Sequence, residues 1–252
     1  RECMTQEGVD GGYYLVVGAS GGMGRALVDA LHQRSPGRVI AVSRQPAPIE
    51  FSVDDQDIPW FQCDNSEIGI TTTLDHLIPE GGHLAGAFIC SGVLHSDSLW
   101  PEKKLEDIEV NNLHYLFHHN TVVPMLWLKA LLSLVGGDKP RCVITAFSAR
   151  IGSIGDNKLG GWYGYRSTKA ALNMLLKTAS VEYARRAPNT KLLAFHPGTT
   201  DTELSRPFQG SVPKGKLFSP SFVARQLLDI TEHLPTDHNL SFLDWNCEPI
   251  AW

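Results

Sequence analysis

The run from Tyr13 to Leu31 constrains the fold most, because a short apolar stretch passes through a glycine-rich turn directly into a helical pattern. Tyr13-Tyr14-Leu15-Val16-Val17 has the unbroken apolar character of a strand buried on both faces. Gly18-Ala19-Ser20-Gly21-Gly22-Met23-Gly24 follows, and then Arg25-Ala26-Leu27-Val28-Asp29-Ala30-Leu31 with helical spacing. A strand of this kind needs helices above and below it, which points to an α/β fold with a parallel sheet. Gly18, Gly22 and Gly24 let the backbone turn tightly and come close to a ligand. The free N–H groups at the helix start, with Ser20, Gly21 and Met23 beside them, suit the pyrophosphate of a dinucleotide.

The same unit recurs along the chain. Apolar runs at 38–42, 60–63, 84–90, 141–147, 191–196 and 240–243 read as six further strands. Helical patterns at 66–78, through most of 101–132, around 164–173 and at 221–233 alternate with them, so seven parallel strands with helices on both faces are expected. The proline-bearing stretch 45–59 reads as a loop, and 207–220 as a lid beside the site.

In a dinucleotide-binding fold the end of the second strand faces the adenosine ribose, where an acid would accept hydrogen bonds from both hydroxyls. Ser43-Arg44 stands there instead, and a hydroxyl with a guanidinium suits a ribose 2′-phosphate, with Arg25 as a second cation. The expected cofactor is NADP(H) in preference to NAD(H). Asp64, closing the third strand, offers a polar side chain for the adenine, and Gly92, just past the fourth, lets a cofactor ribose approach the backbone.

Tyr165 and Lys169, four residues apart in a helical segment, place a phenol and an ammonium on one face. A phenol alone is a poor acid near neutrality, with a reference pKa of about 10, and a fixed cation lowers that value. Asn120 lies four residues before Pro124 in a helical stretch, where the proline frees a backbone carbonyl and the gap often holds water. His114 and His118, also four apart, lack a nearby acid and read as helix surface, so no metal site is expected.

Composition narrows the function. A net charge of -5 argues against a general affinity for nucleic acid or an anionic membrane, so any bound phosphate must be held locally. The cysteines Cys3, Cys63, Cys90, Cys142 and Cys247 are odd in number and contain no CxxC pair, which fits a reducing, cytoplasmic setting. No apolar run is long enough to span a bilayer. Residues 1–12 read as a polar extension, and 13–252 as one domain without a linker.

Taken together, the Gly18/Gly22/Gly24 turn, Gly92, Asn120, the serine loop after the fifth strand, Tyr165 with Lys169, and Pro197-Gly198 with the following threonines resemble the short-chain dehydrogenase/reductase family. Within it the runs 101–107, 152–157, 161–163 and 196–199 resemble the bacterial C-factor branch and the related carbonyl reductases. The resemblance implies a doubly wound Rossmann domain, a small carbonyl or alcohol substrate, and a homodimer or homotetramer built through helices around Leu126 and Leu172. It implies that Tyr165 is the general acid/base, that Lys169 holds the nicotinamide ribose, and that Asn120 holds a relay water. It also implies cofactor contacts from Pro197, Gly198, Thr199 and Thr200. Two positions depart from the pattern. The second serine after the fifth strand, which the family uses in catalysis, is Ala149, so the hydroxyl must come from Ser148 or Ser153. Cys90 stands where an asparagine is usual. The pocket is expected between Leu94, the loop after Gly198 and Trp252, for an apolar or aromatic carbonyl compound. The competing expectation is an NADP(H)-binding regulatory protein of the same fold with little turnover, motivated by Ala149.

Overall fold

The structure, a computed structural model, describes residues 12–48 and 58–252; residues 1–11 and 49–57, including much of the expected 45–59 loop, lie outside the described part. The strands of the main sheet are β1 (Gly12–Val17), β2 (Val39–Ser43), β3 (Trp60–Gln62), β4 (His83–Ile89), β5 (Cys142–Phe147), β6 (Thr190–His196) and β9 (Ser241–Asp244). All pair in parallel, in the order β3-β2-β1-β4-β5-β6-β9. This is the expected seven-stranded, doubly wound Rossmann-like sheet, with the order reversing between β1 and β4. Ligand crevices in such sheets open at the carboxyl ends of the strands at that point.

Alternation along the strands builds two cores. Leu15 and Val17 of β1 and Ile40 and Val42 of β2 face one layer, meeting Trp127, Leu128 and Leu131 of α4 (Val123–Val135) and Leu172 and Leu176 of α5 (Tyr163–Arg186). Val16, Ala41, Leu193 and Phe195 face the other layer, meeting Leu27, Val28 and Leu31 of α1 (Gly22–Arg34) and Val223, Leu227 and Leu228 of α6 (Pro220–His233). Each buried leucine contributes about 1.5–3 kcal/mol relative to exposure, so both faces are held by burial rather than by polar contacts.

Four sequence expectations change. The helix expected over 66–78 is shorter, as α2 (Glu67–Leu74). The Thr71 and Thr73 hydroxyls donate to the Glu67 and Gly69 carbonyls, a competition with the helix ladder that threonine runs favour. The stretch 101–132 is composite: a 3-10 turn (Leu105–Asp107), then α3 (Val110–Phe117), a π turn (His118–Val122) and α4. Pro124 has no N–H for the Asn120 carbonyl four residues back, which is the local reason the ladder widens there. The tyrosine helix does not stop near Asn173 but continues to Arg186, because Leu172, Leu176 and Tyr183 keep one face on the sheet. Finally, the 207–220 stretch is structured, with a 3-10 turn (Arg206–Ser211) and a strand pair, β7 (Thr199–Thr200) and β8 (Leu217–Phe218), tying it back to the end of β6.

Candidate active site

At the β1/β4 crossover the chain opens a cleft of about 1160 Å³. The turn after β1 forms its floor. Gly18 has φ +82, a left-handed conformation that favours glycine, and its N–H donates to the Val42 carbonyl at 2.9 Å. A Cβ on Gly24 would come within 2.1 Å of the Gly18 carbonyl oxygen, so α1 can start against the turn only with glycine there. Ser43 at the end of β2 is buried, and its hydroxyl donates to the Ser20 hydroxyl at 2.7 Å, fastening β2 to the turn.

Residues after β4 make the next wall. Asn120, fully buried, accepts from the Val93 N–H at 2.6 Å and donates to the Val93 carbonyl at 2.8 Å and the Thr168 hydroxyl at 3.2 Å. It therefore clamps the segment after β4 that carries Gly92 onto α5. A Cβ on Gly92 would lie 3.4 Å from both the Asn120 Oδ1 and the Lys169 Nζ, so glycine keeps that side of the cleft open. The Ser91 hydroxyl is buried without a partner among the described residues.

Helix α5 supplies the titratable pair. Lys169 is buried, donates to the Phe147 carbonyl at 2.8 Å, and sits 5.8 Å from the centre of the Tyr165 ring. Burial lowers its pKa to about 8, and burial also pushes the Tyr165 phenol up to about 12. The expected lowering of Tyr165 by its lysine neighbour is thus reversed. Desolvation is the cause of the shift: losing water costs the buried phenolate more than this neighbouring cation returns.

Helix α5 has no side-chain cap of its own, and Trp162 precedes it at φ +53. The buried Glu102 provides the cap, both of its carboxylate oxygens accepting from the Gly164 N–H at 3.2 and 3.1 Å. Arg166 holds the chain on the other side, donating to the Gly160 and Gly161 carbonyls. A Cβ on Gly152 would meet the Lys169 backbone at 2.8 Å, so the loop after β5 packs directly on α5 at Lys169.

Neither serine candidate offers a free hydroxyl beside the phenol. Ser148 lines the cleft, yet its hydroxyl donates to the Asn173 Oδ1 at 2.6 Å. Ser153 accepts from the Asp156 N–H at 3.1 Å and is absent from the cleft lining. Ala149 lines the cleft instead, in an apolar cluster with Leu94 and Tyr165. Among the described residues Tyr165 Oη has no hydrogen-bond partner.

Pro197, Gly198, Thr199 and Thr200 complete the lining with His196, whose imidazole burial drives to a pKa of about 4 and therefore keeps neutral. The segment beyond reaches back over the opening. Phe208 packs edge-on against Trp162 at 4.9 Å and against His95 and Trp100, and the His95 ring nitrogen lies 3.1 Å from the Glu203 carbonyl. Leu94 borders the cleft as expected. Trp252 does not: it stacks on Phe242 at 5.3 Å, and Trp162 and Phe208 form the aromatic wall in its place.

Among the other expected contacts, Ser20, Gly21, Gly22, Met23, Gly24 and Gly92 line the cleft, whereas Ser43, Arg44 and Asp64 lie outside it. Arg44 is exposed just past β2. Asp64 is exposed, and hydrogen bonding from the Ser66 side chain, then from the Ser66 N–H, holds its pKa below the usual carboxylate range. Sequence reading missed Glu102, Ser91, Phe208 and the latch at His95. Glu102 left a trace as a carboxylate beside a proline, and Phe208 falls within the 207–220 stretch read as a lid. Among the described residues no group of three or more His, Cys, Asp or Glu side chains is placed to hold a metal, and no helix is long and apolar enough to cross a membrane.

Comparison with known proteins agrees with this architecture. A benzil reductase of Bacillus cereus is 24% identical over 252 residues, covering 87% of this chain and 94% of its own. The C-signal protein of Myxococcus xanthus is 30% identical over 149 residues, covering 59% of this chain and 83% of its own. The NADPH-bound carbonyl reductase from chicken fatty liver shares the fold with a TM-score of 0.79 at 22% identity, over 95% of this chain and 98% of that one. The family model for short chain dehydrogenases matches residues 13–211, a span that takes in the glycine turn, the Asn120 clamp and the Tyr165–Lys169 pair, and the chain belongs to that family.

Proposed function

We propose that this oxidoreductase uses NADP(H) to reduce the carbonyl group of a small apolar or aromatic aldehyde or ketone, with Tyr165 as proton donor. The observation that carries the reading is the burial of Tyr165 and Lys169 on one face of α5, in the cleft that the glycine turn opens. The orphaned Ser91 hydroxyl and the space beside Gly92 fit a ribose-bearing cofactor. Arg44, beyond β2, suits the 2′-phosphate that distinguishes NADPH. Names of relatives point the same way: one solved neighbour is an NADPH-bound carbonyl reductase and one relative is a benzil reductase.

Bound NADPH supplies the hydride. At neutral pH Tyr165, with its pKa pushed up to about 12, holds its proton and can give it to the alkoxide oxygen as that oxygen gains charge. Lys169, at about 8, is mainly an ammonium at neutral pH and would hold the nicotinamide ribose. Pro124 offers the Asn120 carbonyl no N–H, and that carbonyl would hold a water that returns protons towards Lys169. The Glu102 and Arg166 contacts keep the α5 start, and with it the phenol, in one position, where small displacements cost turnover.

A purified sample should oxidise NADPH, in preference to NADH, across a panel of aldehydes and ketones. Tyr165→Phe keeps the ring and removes the donor, so turnover should fall by roughly 10²-fold or more while cofactor binding persists. Full activity in that variant would sink the assignment. Ala149 favours a second reading, an NADP(H)-binding regulatory protein with little turnover, and the Myxococcus relative carries a signal name. Cofactor binding with no turnover of any panel member would favour that reading. Exposed apolar side chains on α3, on the π turn at Val122 and on α5 support assembly as a homodimer or homotetramer.

A further inference from the structure

Ser43 is buried and lies outside the cleft, so its hydroxyl does not meet a 2′-phosphate directly. Its hydrogen bonds nevertheless lead into the cleft. The Gln45 N–H donates to the Ser43 Oγ at 3.0 Å, and the Ser43 hydroxyl donates to the Ser20 Oγ at 2.7 Å. Ser20 is exposed, lines the cleft, and carries the only side-chain donor of the 18–24 turn. Its oxygen already accepts, and its own proton meets no acceptor among the described residues, so it is left as a donor towards the cleft. Hydroxyls bonded in sequence polarise one another in the same direction. The start of this relay is fixed by β3. The Cys63 N–H donates to the Ser43 carbonyl at 2.8 Å, the Gln62 Nε2 to the Arg44 carbonyl at 2.9 Å, and the Trp60 Nε1 to the Gln45 carbonyl at 3.0 Å.

We propose that Ser20 is the hydroxyl that donates to the 2′-phosphate of NADP(H), and that Ser43 is the positioning residue that turns the Ser20 proton towards it. The free N–H groups at the start of α1 suit the pyrophosphate, whereas Ser20 lies one hydrogen bond from the end of β2, where the adenosine ribose of a doubly wound fold sits. A phosphate dianion only accepts, so a relay that ends in a donor suits it, and a hydrogen bond to a charged acceptor is roughly twice as strong as one to a neutral acceptor. A ribose hydroxyl, which donates as well as accepts, gains less from the same arrangement. Arg44, exposed beside Ser43, supplies charge to the same phosphate, and the relay adds a direction that a flexible guanidinium chain does not.

This inference rests on NADP(H) as the cofactor, and a pair of unreactive adenine nucleotides separates the two. 2′,5′-ADP carries the 2′-phosphate and 5′-AMP lacks it. Their dissociation constants are measured by calorimetry for the wild type, Ser20→Ala, Ser43→Ala, Ser43→Thr and the Ser20→Ala/Ser43→Ala double variant. The wild type should bind 2′,5′-ADP more tightly than 5′-AMP. Ser20→Ala should weaken 2′,5′-ADP by roughly tenfold or more, the contribution of a hydrogen bond to a charged group, and 5′-AMP by less than about twofold. Ser43→Ala frees the Ser20 hydroxyl to its other staggered rotamers and should weaken 2′,5′-ADP by roughly threefold or more. Ser43→Thr, which keeps the donor, should recover most of that loss. In the Ser20→Ala background, Ser43→Ala should leave the ratio between the two nucleotides unchanged. Equal losses for both nucleotides in Ser20→Ala put its hydroxyl on the ribose or the 5′-phosphate and overturn the inference, while a wild-type preference for 2′,5′-ADP keeps the cofactor reading standing. Because Ser20 is exposed, that variant tests the phosphate contact whether or not Ser43→Ala folds. No loss in Ser43→Ala, or a loss that persists in full without the Ser20 hydroxyl, overturns the positioning role. Equal wild-type affinity for the two nucleotides overturns both the inference and the preference for NADP(H).

Discussion

Lys169 carries a charge into a site that excludes water, and that has a measurable price in stability. Its pKa of about 8 in the folded protein, against an ordinary 10.5, means that the unfolded chain binds more protons between those values. Unfolding free energy should therefore rise with pH across that window, by at most ~3 kcal/mol, while below pH 8 both states are protonated and the burial cost is constant. Tyr165 acts with the opposite sign. Its folded pKa of about 12 lies above the ordinary 10.0, so the stability it contributes is present below pH 10 and is lost as pH climbs towards 12. Urea midpoints should rise from pH 8 to 10, and Lys169→Met should remove most of that rise. A midpoint that falls over this range in the wild type would show that the ammonium is not desolvated.

At the scale of one element, α5 is a long helix whose active end is capped from a distance. Trp162 has no side chain able to serve the first turn, and Glu102 accepts from the Gly164 N–H instead. A carboxylate also suits the positive end of the helix dipole. Glu102→Ala should cost about 1–2 kcal/mol and lower the melting temperature by a few degrees. Because Tyr165 directly follows the capped residue, kcat should fall more than KM rises, and Glu102→Gln, which keeps an acceptor, should recover part of both. Loss of stability with kcat intact would make the cap structural alone. The same helix explains why the serine candidates read as equivalent in sequence. One turn beyond Lys169, Asn173 captures the Ser148 hydroxyl, a pairing that spacing from the strand could not reveal.

Across the whole molecule, both sheet faces are covered by helices, but the outer sides of several helices are not polar. Val110 and Tyr115 of α3 are 66% and 43% exposed, and Met174 and Val181 of α5 are 66% and 53% exposed. Leu172, on one of the helices expected to pair subunits, is fully buried on the sheet, so the residues available to a second copy are its outward neighbours. Met174→Glu combined with Val181→Glu should shift sedimentation to a smaller species, since buried charges without partners are costly at an interface. An unchanged mass would place the contact elsewhere or make the chain monomeric.

The sheet, the glycine turn and the Tyr165–Lys169 spacing were legible in the sequence because each depends on residues within a few positions of one another. Apolar runs mark buried strands, a glycine with φ +82 marks a turn, and four residues mark one helical face. Tertiary structure decided what those groups can do. Glu102 caps a helix 62 residues away, Phe208 returns to cover the cleft, and Trp252 packs on Phe242 outside it. It also reversed the sign of the shift on Tyr165. A neighbouring cation is written in the sequence, but the water each group loses is set by everything that folds around it, and at this site that loss is the larger effect.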